Sequence, residues 1–194
     1  KTQINLLIKS IQNFPERCNV IGVYSLGKAQ RLIKMLRNNG WHNTIYLHGS
    51  LVKICNLYEK FGIDLGDLEP ATIQDKPEKP HDFYKGKLIL APPSALADRW
   101  SRRFPDPILG MASGWMTVKQ RAKQRGINLP LILSDHADWN EILTTIKEVS
   151  PKEVWITHGA EDALIYECSK NNLTAKALSI ICLLYTSPSP RDRI

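Results

Sequence analysis

Two histidines that follow predicted strands are the residues of this chain best suited to chemistry. His136 comes shortly after the apolar run Leu131–Leu133, and His158 comes shortly after Val154–Ile156. The segment 138–149 between them is predicted to be a helix. Strands joined through a helix are normally parallel with a right-handed crossover, so both histidines are expected at the carboxyl edge of a sheet. If the two strands are neighbours, about 4.8 Å apart, the histidines share one rim, which predicts a metal or phosphoryl site there.

The helix between the two histidines has a clear start in the sequence. Asp138 offers an N-cap oxygen, and Glu141 lies three residues later, which is the spacing of a capping box. The apolar residues that follow recur at helical intervals and predict one buried face: Ile142, Leu143, Ile146 and Val149. A second buried strand is predicted from Val154, after the helix stops at Ser150 and Pro151.

The earlier part of the chain alternates between helices and strands. Apolar periodicity predicts helices over 3–14, 28–38 and 51–61, and strands over 19–24, 44–47, 87–90 and 107–112. The fold class is therefore predicted to be α/β, with a mostly parallel sheet flanked by helices. A helix is predicted over 94–103, whereas periodicity does not decide between a strand and irregular structure over 116–124.

Composition limits the classes of protein to consider. The chain has 194 residues, is 43% hydrophobic and carries a formal net charge of +7. The charge suits a polyanionic partner, although a merely basic surface explains it equally well. No apolar run approaches the roughly 18 residues that a membrane span needs. Three distant cysteines on apolar faces indicate buried free thiols in a reducing compartment, so we expect a cytoplasmic location: Cys18, Cys55 and Cys168.

Cations concentrate between residues 99 and 125, where seven occur with one acid, Asp106. They are Arg99, Arg102, Arg103, Lys119, Arg121, Lys123 and Arg125. Cations interleaved with aromatic rings are typical of a surface that binds single-stranded nucleic acid. For the cations we favour this interpretation, whereas for Trp100 and Trp115 a place in the core is the simpler one.

A second basic series lies on the predicted helix 28–38. Its cations recur every third residue, and a solvated helix face explains them better than nucleic-acid binding: Lys28, Arg31, Lys34 and Arg37. Gly22 to Lys28 also has the G-x-x-x-x-G-K spacing of a P-loop, but Ala29 stands where a hydroxyl must hold Mg²⁺. A tight strand–helix turn is therefore favoured over a phosphate site at the helix start.

The two ends of the chain indicate a fragment. Lys1 lies inside an amphipathic helix pattern, and residues 182–192 resemble the translation of a sequencing adapter. We therefore expect a piece of a longer protein, with a non-native tail over 182–194 that is excluded from fold reasoning.

Several sequence segments carry a resemblance to a known family. They are SLGKAQRLI (25–33), LHGSLVKICNLYEKFGI (47–63), LILAPPSA (88–95), ASGWM (112–116), LSDHADW (133–139) and THG (157–159). Together they resemble the β-CASP branch of the metallo-β-lactamase-fold nucleases. Within it, the bacterial DNA-ligase-associated exonucleases, which are also described as mRNA 3′-end-processing-like factors, are the most similar.

The resemblance implies a fold, an activity and a cofactor. It implies a truncated β-CASP α/β cap over 1–128 and the C-terminal portion of a metallo-β-lactamase αββα sandwich over 129–181. It implies an exonuclease that acts on DNA ends in repair and cleaves phosphodiester bonds with a hydroxide held between two zinc ions. The family's HxHxDH zinc motif occurs nowhere in this chain, so the fragment alone is expected to be inactive.

The resemblance also implies roles for individual residues and partners. His158 matches a zinc ligand, and His136 matches the histidine that stabilises or protonates the leaving group. Asp135 and Asp138 are candidates for orienting His136, although capping the helix is the favoured role of Asp138. Nucleic acid is the implied partner, with DNA ligase and helicase as further ones. A ribonuclease of the mRNA-processing type and a non-catalytic nucleic-acid-binding module remain as alternatives.

Overall fold

The computed structural model describes residues 2–72, 80–104, 106–157, 159 and 161–178. Contacts divide the chain into two units, of which the first ends at His136 and the second begins at Ala137. The domain boundary expected between residues 128 and 129 stays a prediction. The expected non-native tail over 182–194 lies outside the described residues.

The first unit alternates between helices and strands, and its elements at 68–70, 80–83 and 119–124 were not predicted. Its helices are α1 (Thr2–Asn13), α2 (Lys28–Arg37), α3 (Gly49–Lys60), α4 (Pro80–Phe83) and α5 (Lys119–Gln124). Its strands are β1 (Asn19–Gly22), β2 (Ile45–Leu47), β3 (Leu68–Pro70), β4 (Leu88–Ala91), β5 (Ile108–Ala112) and β6 (Leu129–Leu131). The second unit contains α6 (Trp139–Val149), β7 (Glu153–Ile156), α7 (Glu161–Lys170) and β8 (Thr174–Ala177).

The strands of the first unit form a six-stranded sheet in the order β3-β2-β4-β1-β5-β6. Every neighbouring pair in this sheet is parallel. β1 and β4 are buried at all four positions, as expected for central strands that are covered on both faces. The predicted α/β class with a mostly parallel sheet is confirmed.

Apolar residues on the two faces of this sheet enter two different clusters. Ile21 and Leu88 pack with the buried side chains of α1, α2 and α3. Val20 and Ile89, the adjacent residues in the same strands, pack instead with aromatic residues that include Phe104. Since successive side chains in a strand point to opposite faces, short apolar runs in β1 and β4 supply both layers of the core.

The residues with P-loop spacing, Gly22 to Lys28, form the turn between β1 and α2. Gly22 is the last residue of β1, and Gly27 takes a positive φ of 77° as the N-cap of α2. Glycine adopts this conformation without the steric penalty of a side chain. The tight strand–helix turn favoured by the sequence is therefore confirmed.

The structure corrects the predicted pairing of the strands that precede the two histidines. β6 ends at Leu131 and pairs with β5, whereas β7 pairs with β8 in a separate two-stranded parallel sheet. After β6, the Ile132 N–H donates to Oε1 of Gln3 at 2.9 Å instead of continuing a strand. The rule that two strands joined through a helix are parallel holds for β7 and β8, which flank α7.

The second unit is less buried than its sequence predicts. The apolar residues of α6 are half-buried at best, and Val149 is exposed. Trp155 in β7 keeps 59% of its surface exposed. A two-stranded sheet offers too little area to cover a helix and both of its own faces, so the prediction of a fully buried strand here is wrong.

The segments 94–103 and 116–124 contain short helices. The predicted helix over 94–103 is replaced by two 3₁₀ helices, Pro93–Leu96 and Ser101–Arg103. The stretch over 116–124 is neither the strand nor the irregular structure considered for it, because the 3₁₀ helix Gly114–Thr117 and α5 occupy most of it. Short helices of this kind carry no sustained period, which explains why periodicity could not identify them.

Candidate functional site

Two neighbouring loops diverge at the carboxyl edge of the first unit's sheet. After β1 the chain passes through α2 to β2, on the side of β4, whereas after β5 it passes through α5 to β6 on the other side. Adjacent strands whose connections leave in opposite directions open a crevice at this edge, where α/β sheets commonly bind ligands. A cleft of about 750 Å³ is lined by residues that follow these strands.

Three loops supply the walls of this cleft. They contribute Tyr24, Ser25, Leu26 and Lys28 after β1, Ser113, Gly114 and Trp115 after β5, and Ser134, Asp135 and His136 after β6. Three of the sequence segments singled out above, SLGKAQRLI, ASGWM and LSDHADW, therefore meet at one place within the first unit.

Lys28 joins two of these loops by an ion pair. Its side chain is only 2% exposed, and Nζ lies 2.8 Å from Oδ1 of Asp135. The same ammonium lies 5.0 Å from the centre of the Tyr24 ring, which adds a cation–π attraction. The solvated position favoured for Lys28 is therefore wrong, because its charge is used to hold the loop after β6.

The other cations of α2 also donate to the protein. Arg31 donates from Nη1 to the Ser134 carbonyl oxygen at 2.7 Å, next to the ion pair of Asp135. Lys34 donates to the Asp64 carbonyl oxygen at 2.9 Å, and Arg37 donates to four carbonyl oxygens. Lys28 and Arg31 thus hold the loop after β6 at the carboxyl edge, whereas Lys34 and Arg37 hold the segments that precede β2 and β3. The series therefore does not form a free basic face.

His136 is held through its backbone and lines the cleft. Its N–H donates to Oγ of Ser134 at 3.2 Å, and the Ser134 hydroxyl donates to the His136 carbonyl oxygen at 3.2 Å. His136 is exposed and lines the cleft. Lys28 and Arg31 anchor the two preceding residues, Asp135 and Ser134, and so hold the loop that carries His136.

The ASGWM segment lines the cleft beside the loop that carries His136, and Ser113, Gly114 and Met116 each have a separate role. Ser113 extends the ladder by donating its N–H to Leu131 at 3.0 Å, and its Oγ accepts from the Trp115 N–H at 3.3 Å. A Cβ on Gly114 would lie 3.2 Å from the Cβ of Ser134, so glycine allows the two loops to approach. Met116 is buried and anchors the turn.

A zinc site is not assembled by the described residues. Across the part of the chain that the structure describes, no three His, Cys, Asp or Glu side chains are grouped to hold a metal ion. Asp135, the carboxylate adjacent to His136, is paired with Lys28. His158, the predicted zinc ligand, lies outside the described residues. The described donors therefore do not fit zinc by themselves, because such a site needs at least three protein ligands.

Most of the predicted nucleic-acid-binding cations are exposed. This holds for Arg99, Arg102, Lys119, Arg121, Lys123 and Arg125, the last four on α5 or at its C-cap. Arg103 is half-buried, donates from Nε to the Trp100 carbonyl oxygen at 2.9 Å and lies over the Trp100 ring. Trp100 packs against the second core cluster, as the sequence favours. Trp115 is 61% exposed, so the core position predicted for it is wrong.

Asp138 acts as a helix cap in the second unit. Its Oδ1 accepts from the Glu141 N–H at 2.9 Å, and Glu141 Oε2 accepts from the Asp138 N–H at 2.8 Å. Both bonds of the predicted capping box are therefore present. This is the role that the sequence favours for Asp138.

Comparisons with known proteins bear on the family. The model of a family described as "Zn-dependent metallo-hydrolase RNA specificity domain" matches residues 130–170. A protein of Opitutus terrae (strain DSM 11246 / JCM 15787 / PB90-1) named "Probable DNA ligase" is 27% identical over 158 residues. These residues are 80% of this chain but only 14% of that protein. No solved structure matches the chain.

These matches support the resemblance to β-CASP and metallo-β-lactamase-fold proteins that the sequence segments carry. The family match covers both the loop that carries His136 and α6, with its capping box. Zinc use is a property of the matched family as its description states it. The number of zinc ions and the nuclease activity remain predictions for this β-CASP-like chain.

Other predicted features of the β-CASP-like chain are also described. Cys18, Cys55 and Cys168 are free and buried, as predicted. Burial raises the pKa of the Cys18 thiol to about 12, which makes it a poor nucleophile and metal ligand. Among the described helices, none combines the length and apolar character required to cross a membrane. The cytoplasmic location stays a prediction.

His48, which directly follows β2, has a structural role. Its Nδ1 accepts from the Ser50 N–H at 3.1 Å and so caps α3, while its ring contacts Trp100 edge-on with centroids 4.7 Å apart. Burial lowers its pKa below the ordinary 6.5, and the positive charge of Arg103 acts in the same direction. The neutral ring is therefore the form that stabilises the fold.

Acidification is expected to destabilise the chain in part through His48. Because the folded-state pKa lies below the unfolded value, this contribution is complete above pH 6.5 and is lost as the pH falls from there through the lowered pKa. The His48→Asn variant keeps a capping oxygen but does not titrate, so its melting temperature should fall less between about pH 7 and pH 5. Thermal unfolding of both proteins measures this, and parallel pH profiles would contradict it.

Sequence reasoning missed several residues of the cleft. Tyr24 and Leu26 are 56% and 69% exposed although they are apolar, and Ser113 and Ser134 fix the turns. Ser113 and Ser134 directly follow predicted strands, whereas the predicted strand 19–24 wrongly included Tyr24, because β1 ends at Gly22. The carboxyl edge of the sheet was the available signal, and it identifies loops more reliably than residue type does.

Proposed function

We propose that this chain is part of a zinc-dependent phosphodiesterase that cleaves nucleic acid. The specific activity that we propose is that of an exonuclease acting on DNA ends in repair. The observation that carries the proposal is the exposed His136 imidazole in a cleft at the diverging carboxyl ends of β1 and β5. The family match to zinc-dependent metallo-hydrolases and the relative named as a DNA ligase support the same class. The net charge of +7 suits a polyanionic substrate.

His136, two cations of α2 and the exposed cations of α5 have proposed tasks. The imidazole of His136 holds or donates the proton that the departing oxygen of a phosphodiester requires, which is the task of a general acid. Lys28 and Arg31 position its loop through Asp135 and Ser134. The exposed cations on α5 guide the backbone of the strand. None of these tasks needs a metal bound by the described residues.

The metal site of the intact enzyme is proposed to depend on further residues. His158 remains the proposed zinc ligand of this chain, and two zinc ions with ligands from a segment outside it would complete the site. DNA ligase and helicase remain proposed partners by family resemblance. A non-catalytic nucleic-acid-binding module is the alternative if the parent protein lacks hydrolysis.

A ribonuclease is the second candidate function. The matched family is described as an RNA specificity domain, whereas the relative is named as a DNA ligase. Recognition of a 2′-hydroxyl leaves no motif that can be read in sequence. Competition between DNA and RNA strands of identical sequence for cleavage by the parent protein distinguishes the two candidates, and preferred RNA cleavage would replace the DNA-end assignment.

Metal dependence tests the proposed class. We expect the 194-residue chain alone to cleave neither DNA nor RNA, because its described residues hold no metal cluster. The parent protein should lose cleavage after chelation and regain it with zinc. Gel analysis of end-labelled strands measures both. Zinc-restored cleavage that is unchanged in the His158→Ala parent would contradict the ligand assignment, and metal-independent cleavage would contradict the class.

A further inference from the structure

Trp115 has an unusual exposure for a tryptophan in an apolar segment. It keeps 61% of its surface exposed while it lines the cleft, and Tyr24 across the same cleft is 56% exposed. Leaving large apolar surface in water forgoes the favourable free energy of burial. Exposed aromatic rings that gather in one cleft therefore indicate a surface that a ligand covers.

The backbone that carries the exposed ring is fixed by neighbouring residues. The Ser113 Oγ accepts from the Trp115 N–H at 3.3 Å, and the following residue, Met116, is buried in the third core cluster. Gly114 permits close packing against Ser134. The backbone of Trp115 is thus held in a short 3₁₀ helix while its indole projects from it, which limits the ordering required when a flat ligand binds.

A cation lies over the same ring. The guanidinium carbon of Arg121 is 3.8 Å from the centre of the Trp115 ring, the distance of a stacked cation–π pair. Lys119 and Lys123 are exposed on the same helix. A planar aromatic face with cations beside it matches a nucleotide, whose base stacks on rings and whose phosphate is anionic.

We propose that Trp115 and Arg121 form a base-stacking subsite for a single-stranded nucleic acid in this cleft. The subsite deepens the proposed function and rests on it, because it specifies how the strand is held beside His136. Stacking does not require a particular base, since every base has a π-face. The subsite therefore recognises an unpaired nucleotide rather than a sequence.

An abasic strand provides the decisive probe, because it keeps the phosphates and removes the bases. We would measure binding of labelled oligothymidine, oligouridine and abasic strands of about twelve nucleotides to the full 194-residue chain by fluorescence anisotropy. The wild type should bind both base-containing strands more tightly than the abasic strand. Trp115→Ala should weaken base-containing strands roughly five- to a hundredfold and leave the abasic strand almost unchanged.

Matched variants exclude general effects of losing a tryptophan. Trp155→Ala removes a ring that is 59% exposed in the second unit and should leave all three affinities unchanged. Trp115→Phe should retain part of the preference for bases, and Arg121→Lys should lose part of it while keeping the charge. These two milder variants replace Trp115→Ala if circular dichroism shows that it is misfolded.

The outcomes separate the subsite from the proposed function. Equal binding of thymidine and abasic strands by the wild type would overturn the stacking subsite and leave a phosphate-binding cleft. An equal loss for every strand in Trp115→Ala would assign Trp115 a structural role and overturn it too. No binding of any strand would contradict nucleic-acid binding by this cleft altogether. Equal effects with thymidine and uridine are expected, because the stacking contact does not involve the sugar.

Discussion

Replacing His136 with alanine in the parent enzyme is expected to lower the turnover of strand cleavage by about 100- to 10,000-fold, the usual contribution of a general acid or base. The reason is geometric. His136 lies on the loop after β6 and lines the cleft, and no other histidine is among the described residues that line it. The Michaelis constant should change little, since the cations and rings of the cleft remain to bind the strand.

Two further variants sharpen this prediction. His136→Gln keeps hydrogen-bonding groups but cannot transfer a proton near neutrality, so it should remain nearly as slow as His136→Ala. His42→Ala removes an exposed histidine that lines a different cavity and should retain wild-type turnover. Steady-state cleavage of an end-labelled strand gives both constants. Wild-type turnover in His136→Ala would remove this residue from the chemistry.

The ion pair beneath the cleft should respond asymmetrically to mutation. Asp135→Ala leaves the buried Lys28 ammonium without its carboxylate and is expected to lower the free energy of unfolding by about 3 kcal/mol. Lys28→Met should cost about 1 kcal/mol or less, because methionine fills the volume of the lysine stem and the remaining carboxylate is partly solvated. The Asp135 side chain is 36% exposed, whereas the Lys28 side chain is 2% exposed.

Urea denaturation followed by circular dichroism measures this asymmetry. The double variant Lys28→Met/Asp135→Asn should recover most of the stability lost in Asp135→Ala, because no unpaired buried charge remains. Glu16→Gln disrupts the exposed ion pair with Lys85 and serves as the control, with an expected change of about 0.5 kcal/mol or less. Equal losses in the two single variants would contradict the buried position of the Lys28 charge.

The sequence predicted the elements of the first unit well because their signals are local. The apolar stripe of α1 and the apolar run of β1 need no knowledge of distant residues. The capping box of α6 was predicted to the residue for the same reason, since Asp138 and Glu141 are three residues apart.

Features that depend on distant residues were not predictable in the same way. The choice of β5 as the partner of β6, and of β8 as the partner of β7, is set by tertiary packing. Lys28 looked like one member of a solvated series because Asp135, its partner, lies far away in sequence. Trp115 looked like a core residue because residue type alone cannot distinguish a buried ring from one that projects into a cleft.

The candidate site falls between these cases. His136 was predicted at the carboxyl edge of a parallel sheet, and the structure shows it there. That edge follows from the order of strands and helices, which is a local pattern. The neighbours that hold it come from the loops after β1 and β5, and only the fold brings these loops together.

Histidine ring resonances test most directly whether nucleic acid binds in the cleft that His136 lines. In a ¹H–¹³C spectrum of the 194-residue chain with labelled histidines, adding single-stranded DNA should shift the His136 ring signals and leave those of His42 unchanged. Assignment uses the His136→Gln and His42→Ala variants. Binding of the strand without any change at His136 would show that nucleic acid occupies another surface and would contradict the cleft as the functional site.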